Sequence, residues 1–166
     1  MITIKTVSLS PDEKAELEKA LRKFAAKRET NFDFISSEVS MGTDKILLGY
    51  EGSRNIHFTR PRTFIDRYLP KLIINLPRNT TDLFYRLRLS NVSTAVLVLL
   101  VIGVAAGIIS VSVGEGTTEA LIYPPGFLCI FALGTLLEYK LSALKIKRAL
   151  SKYRLLKHQP AEKATW

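Results

Sequence analysis

Arg54, Arg60, Arg62 and Arg67 fall in one short stretch, set among the apolar residues Ile56, Phe58, Phe64 and Leu69. On a strand with a side-chain period of two, the apolar residues turn inward and the guanidiniums gather along the strand and its turn. A guanidinium donates two parallel hydrogen bonds to an oxyanion, so this grouping suits a phosphate-bearing ligand, a cyclic nucleotide among them. The competing reading is contact of these arginines, with Arg86 and Arg88, with anionic lipid headgroups. Other chemistry is sparse. His57 and His158 are the two imidazoles, and neither has metal-ligand spacing to Cys, His, Asp or Glu. The chain lacks a GxSxG elbow, a phosphate-binding Walker loop and an HExxH helix. The single cysteine, Cys129, excludes an internal disulfide and reads as a small apolar residue. The expectation is a protein that is not an enzyme and takes no metal or cofactor.

The elements that carry these residues divide by hydropathy. Residues 92–113 contain no charge, and at about 1.5 Å per residue they cover about 33 Å, enough to cross a bilayer. A second uncharged run, 120–137, has Pro124 and Pro125 near its start, where a helix is expected to begin. Its apolar part is short, so Tyr139, Leu141 and Leu144 are expected partly within the membrane, with Lys140 and Lys145 snorkelling outward. The acidic segment 114–119 reads as a hairpin loop. Arg78, Arg86 and Arg88 precede the first span, and Lys140, Lys145, Lys147, Arg148, Lys152, Arg154 and Lys157 follow the second. The positive-inside rule then puts both termini in the cytoplasm. The asparagine sequons at Asn79 and Asn91 fall on the cytoplasmic side or membrane edge and are discounted as glycosylation sites. The opening MITIKTVSLSPDEK has no basic n-region with a long apolar core, so no cleaved signal peptide is expected.

The first 89 residues read as an α+β domain. Ser10, Pro11, Asp12 and Glu13 form a capping box with Pro at the first helical position. Leu17, Ala20, Leu21 and Phe24 then recur on one face, which predicts an amphipathic helix to about Arg28. Alternation at Ile2 and Ile4, Phe32 and Phe34, Val39 and Met41, and then at Ile56, Phe58, Leu72, Ile74, Leu76, Leu83, Tyr85 and Leu87, predicts five or six strands. Turns are expected at 42–44 and 49–55, around an apolar segment at 46–50. A half-buried antiparallel sheet fits this pattern best. A net charge of +9 points to an acidic partner or an anionic surface.

Two features of the hairpin suggest packing. Gly103 and Gly107 form a GxxxG face that lets helix backbones approach closely, against either the second helix or another copy. Cys129, Ala132, Leu136, Tyr139, Ala143, Ile146, Leu150 and Tyr153 step by three and four, a heptad-like seam that something must cover. The candidates are the N-terminal domain, the first span, or further copies of the same seam. Gly103, Gly107, Tyr139, Ile146, Leu150 and Tyr153 are accordingly the candidate oligomerisation residues. Glu138, the acid at the inner end of a span, is expected to pair at headgroup level near Arg86 and Arg88, with an ion-pathway role as the alternative.

The segment 55–77, NIHFTRPRTFIDRYLPKLIINLP, followed by TTDLFYRLRL at 80–89 and an apolar span, resembles small bacterial membrane proteins with a cytosolic β-barrel-like module. CD-NTase-associated membrane effectors of antiphage signalling are among them. The resemblance rests on Ile56, Phe58, Arg60, Phe64, Leu69, Pro70, Leu72, Ile74, Thr81, Arg86 and Leu87. It implies a sensor joined to an anchor in a bacterial inner membrane, with ligand-driven assembly.

The sequence therefore predicts a small antiparallel β-rich cytosolic domain with one N-terminal amphipathic helix, residues 1–89. A transmembrane hairpin with a cytosolic helical extension follows at 90–157, its spans near 92–113 and 120–139, and then a disordered tail, 158–166. The expected function is that of a membrane-anchored sensor or effector whose basic β domain binds an anionic ligand or partner and which oligomerises. A structural or adaptor subunit of a membrane complex, or a toxin-immunity membrane protein, is the alternative. The expected partners are the lipid bilayer and further copies or a membrane complex, and no DNA.

Overall fold

The computed structural model describes residues 2–29, 31–32, 44–63, 66–114 and 119–158. The chain is α+β. It runs β1 (Thr3–Ser8), α1 (Pro11–Phe24), β2 (Ala25–Arg28), β3 (Leu47–Glu51), β4 (Asn55–Thr59), β5 (Leu72–Pro77), β6 (Phe84–Leu89), α2 (Asn91–Ser112) and α3 (Glu119–His158).

The capping box forms as expected. Ser10 N donates to Glu13 Oε2 at 2.8 Å and Glu13 N donates to Ser10 Oγ at 3.2 Å, which satisfies two of the helix's orphan donors. The helix ends earlier than its composition suggests. Ala25 turns extended (φ −92°, ψ 142°), and Ala25–Arg28 becomes β2, paired in parallel with β3 from Ala25↔Leu47 to Arg28↔Tyr50. An Ala-Ala-Lys-Arg run favours helix by intrinsic propensity, and here strand pairing overrides it.

The six strands lie in the order β1-β6-β5-β4-β3-β2. All neighbours pair antiparallel except β2 and β3, so the sheet is mixed and departs from the purely antiparallel expectation. Phe32 lies in a turn beyond β2, and Phe34, Val39 and Met41 fall outside the described residues. The central strand β5 is covered on both faces, which explains its nearly unbroken apolar sequence, LIINLP. Ile74 joins the main core with Leu17, Leu21 and Phe24 of α1. Ile73 joins a smaller cluster with Phe32 and Leu48.

Strand β6 passes into α2 through Ser90, whose Oγ accepts from Ser93 N. Ser90 N donates to Lys71 O at 2.9 Å, and Lys71 N donates to Ser93 Oγ at 2.8 Å, so the first turn of α2 is tied to the start of β5. Helix α2 closes at Gly114, where φ of 80° suits a residue without Cβ. Helix α3 begins at Glu119, ahead of the two prolines, so Pro124 and Pro125 lie inside it. Each removes a backbone donor there without ending the helix. At 40 residues, α3 extends about 60 Å.

Both α2 and α3 are long and apolar enough to cross a membrane. Beyond that apolar half, α3 belongs to the sheet domain. Ile146 and Ala149 are buried in the same core as Leu21, Phe58 and Leu87, with Tyr139 and Tyr153 packed at its edge.

Candidate functional site

Of the predicted arginines, Arg60 and Arg62 lie near each other, while Arg54 stands apart from them. Arg54 sits exposed in the β3–β4 turn, and Arg60 follows β4 at its other end. Across that strand they stand about 20 Å apart at about 3.3 Å per residue. The Arg67 side chain lies outside the described residues.

Arg60 meets carboxylates. Its Nη2 donates to Glu138 Oε2 at 2.7 Å, its Nε to Glu138 Oε1 at 3.5 Å, and its Nη1 to Asp66 Oδ2 at 2.6 Å. Glu138 is 0% exposed and Arg60 6%. Burial works against the Arg60 charge, but hydrogen bonds to Glu138 and then Asp66 outweigh it and raise the guanidinium's pKa above its ordinary value. The Arg60 hydrogen bond likewise holds the Asp66 carboxyl below the usual range. Arg62 is half-buried nearby, its pKa lowered chiefly by burial. Glu138 was expected beside Arg86 and Arg88. Arg86 instead stacks on Phe84 at 4.4 Å, and Arg88 is buried and donates to Leu89 O.

This ion-pair cluster sits where the β4–β5 connection crosses α3. One turn before Glu138, Gly134 makes room for the connection, since a Cβ there would come within 3.0 Å of Pro70 Cδ. The sequence holds no local signal for that contact.

A second basic grouping lies at the opposite end of the sheet. Lys14, on α1, is buried and donates through Nζ to Asn79 O in the β5–β6 turn. It lines a cavity of about 180 Å³ with Pro11, Ala15, Glu18, Arg78, Thr80 and Leu83. Arg78 N donates to Arg54 O at 3.1 Å, which brings the Arg54 turn to the same tip. Arg78 Nη2 also reaches Glu51 Oε2 at 3.0 Å. An ammonium has three protons to donate, so Lys14 and Arg78 offer cationic donors to a small anion here, with Glu18 the one carboxylate in the lining. Lys14 escaped notice in the sequence because a lysine in the first turns of an amphipathic helix reads as solvated. His57 stacks on Tyr50 at 5.9 Å between ring centroids.

Helix α1 joins the tip to the C-terminal part of α3. Glu16, close to Lys14 on that helix, accepts two hydrogen bonds from Arg154 of α3, at 3.0 and 2.8 Å. Lys152 of α3 lies over the Phe24 ring at 5.3 Å.

The candidate oligomerisation residues are engaged within one copy. Gly107 is buried, and the space a Cβ would take at Gly103 abuts Pro124 of α3 at 3.8 Å, so the GxxxG face serves the hairpin. Ile146 is in the core, Tyr139 and Tyr153 border it, and Leu150 is half-buried. In the apolar half of α3, Cys129, Ala132 and Leu136 are exposed. The more buried stripe there passes through the half-buried Gly134 and Thr135 to the buried Glu138, shifted by about one position from the predicted seam.

Comparison with known protein families, with curated proteins and with solved structures finds no match for this chain.

Proposed function

We propose that the chain is a membrane-anchored, non-enzymatic sensor or effector, held in a bacterial inner membrane by α2 and α3 with both termini in the cytoplasm. The observation that carries this reading is the double role of α3: one continuous helix supplies an apolar span and, through Ile146 and Ala149, part of the sheet domain's core. A change in the domain then has a mechanical path into the hairpin. The ligand is a small anion bound in the Lys14–Arg78 cavity, a phosphate ester or cyclic nucleotide by charge and donor type. Binding there bears on α1, and α1 bears on α3 through the core that Leu17 and Leu21 share with Ile146 and Ala149. A spin label placed at the exposed Leu144 of the full chain in bilayer discs tests this, with inorganic phosphate and a cyclic dinucleotide as probes. Saturable binding that alters label mobility, and is lost in Lys14→Gln, is the expected result. Binding without a spectral change would overturn the coupling, and no binding of either probe would overturn the sensor reading.

An adaptor subunit is the second reading, favoured by the free edge of the sheet. Strand β1 is terminal in the strand order and largely exposed, a geometry suited to strand addition by a partner.

A further inference from the structure

Outside the helical hairpin and its caps, the described residues expose large apolar side chains at three positions: Ile2 and Ile4 (37% each) and Tyr68 (76%). An isolated exposed apolar residue needs no explanation, but these three share one end of the domain. Leu89 N donates to Ile2 O at 3.0 Å, so β1 starts beside the last residue of β6, immediately before α2. Ile4 follows about 7 Å along the same strand. Tyr68 lies between Asp66, bound to Arg60, and Pro70, which packs on Gly134. Gly134 is a turn nearer the apolar half of α3 than Glu138, and Lys71, next to Pro70, is hydrogen-bonded to Ser93 in the first turn of α2.

From this arrangement we infer that the hairpin-proximal rim of the sheet domain is itself a bilayer-binding surface: Tyr68 seats in the headgroup region, and Ile2 and Ile4 rest against it from the β1 side. The inference depends on the proposed bilayer span, with which the rim is continuous. If α2 crosses the bilayer from its first turns, the level of Ser93, Lys71 and Pro70 is the membrane–water interface. Tyrosine is suited to that level because its ring favours the apolar side and its hydroxyl the wet side. Lys140, exposed on α3 just past Glu138, adds a cation at the same height. The distal end of the domain, where β5 turns into β6, exposes Arg78, Asn79 and Thr80 instead. The two ends of one sheet therefore differ in polarity in the direction the bilayer requires.

The test uses the full chain in vesicles of equal parts phosphatidylcholine and phosphatidylglycerol, with Trp166→Phe as background and single tryptophans introduced at Tyr68, Leu99 or Thr80. Leu99 is 67% exposed on α2 and reports whether that helix spans, whereas Thr80 reports the distal tip. Lipids brominated near the headgroup end of the acyl chain quench a tryptophan at the interface. The expected result is loss of emission for Tyr68→Trp with these lipids and for Leu99→Trp with lipids brominated deeper in the acyl chain, with Thr80→Trp unchanged under both. Quenching of Leu99→Trp without Tyr68→Trp would overturn the rim and leave the span intact. Absence of quenching at Leu99 under lipids brominated at any depth would overturn the span and the rim with it. Equal quenching of Tyr68→Trp and Thr80→Trp would also overturn the rim, because the domain would then lie flat on the membrane.

Discussion

Arg60 and Glu138 are 78 positions apart in sequence, yet their side chains meet at 2.7 Å with the carboxylate fully buried. The pair ties the β4–β5 connection to α3 at the level where the apolar half of that helix ends. Breaking it by removing one partner leaves an uncompensated buried charge, which costs about 3–5 kcal/mol. Arg60→Met and Glu138→Leu are each expected to destabilise the detergent-solubilised protein by about that amount in a denaturant titration, and the double variant by much less. Equal, additive losses would show that the two groups do not depend on each other.

Asp66 gives the same cluster an acid-sensitive edge. Because its folded pKa is depressed by the Arg60 hydrogen bond, its contribution is present above the unfolded value, about 3.9, and is lost as pH falls through the folded value. Thermal stability of the wild type is expected to fall through this acidic window. Asp66→Asn is expected to start lower and to lack that part of the slope, as followed by Tm between neutral pH and about pH 3.

Two glycines of α3 make a matched pair. A side chain at Gly134 meets the Pro70 ring at 3.0 Å, whereas one at Gly126 meets nothing within 4 Å. Gly134→Val is expected to displace the β4–β5 connection and cost about 1–3 kcal/mol by overpacking. Gly126→Ala is expected to be tolerated, and similar Tm losses for both would contradict the Pro70 contact.

How much of this was legible in the sequence varies with the range of the signal. The capping box at Ser10, the buried face Leu17–Leu21–Phe24 and the alternation through Ile56, Phe58, Ile74, Leu76 and Leu87 are local patterns, and each corresponds to what the fold contains. The end of α1 was misread because Ala25–Arg28 has helical propensity, and only the pairing with Leu47–Tyr50 makes it a strand. The start of α3 was misread because two prolines usually mark a helix's beginning, while here a turn precedes them. The partner of Glu138 was illegible: Arg86 and Arg88 were nearer in chain order to the span, and the sheet brings Arg60 instead. The predicted seam on α3 correctly required a covering surface. Its C-terminal half found that surface in the domain's own core, while its apolar half was out of phase with the more buried stripe.

Ile146 measures how far α3 contributes to domain stability, since it is buried with Ala149 among residues of α1 and the sheet. Ile146→Ala is expected to cost about 2–5 kcal/mol, the range for a large-to-small change in a packed core. Arg154→Ala, which removes an exposed pair with Glu16, is expected to change stability little. Denaturant midpoints of the two variants in the same detergent compare them directly, and a reversed order would place the α1–α3 joint on the surface pair.

α3, a helix long and apolar enough to cross a membrane, is also part of the sheet domain's core. The most direct measurement is the two-dimensional amide spectrum of residues 1–89 alone, beside the same residues joined through a Gly/Ser linker to 138–158. Residues 1–89 alone are expected to give a poorly dispersed spectrum without a cooperative melt, and dispersed peaks with a cooperative transition once 138–158 is supplied. A well-dispersed spectrum and an unchanged Tm for 1–89 by itself would contradict it.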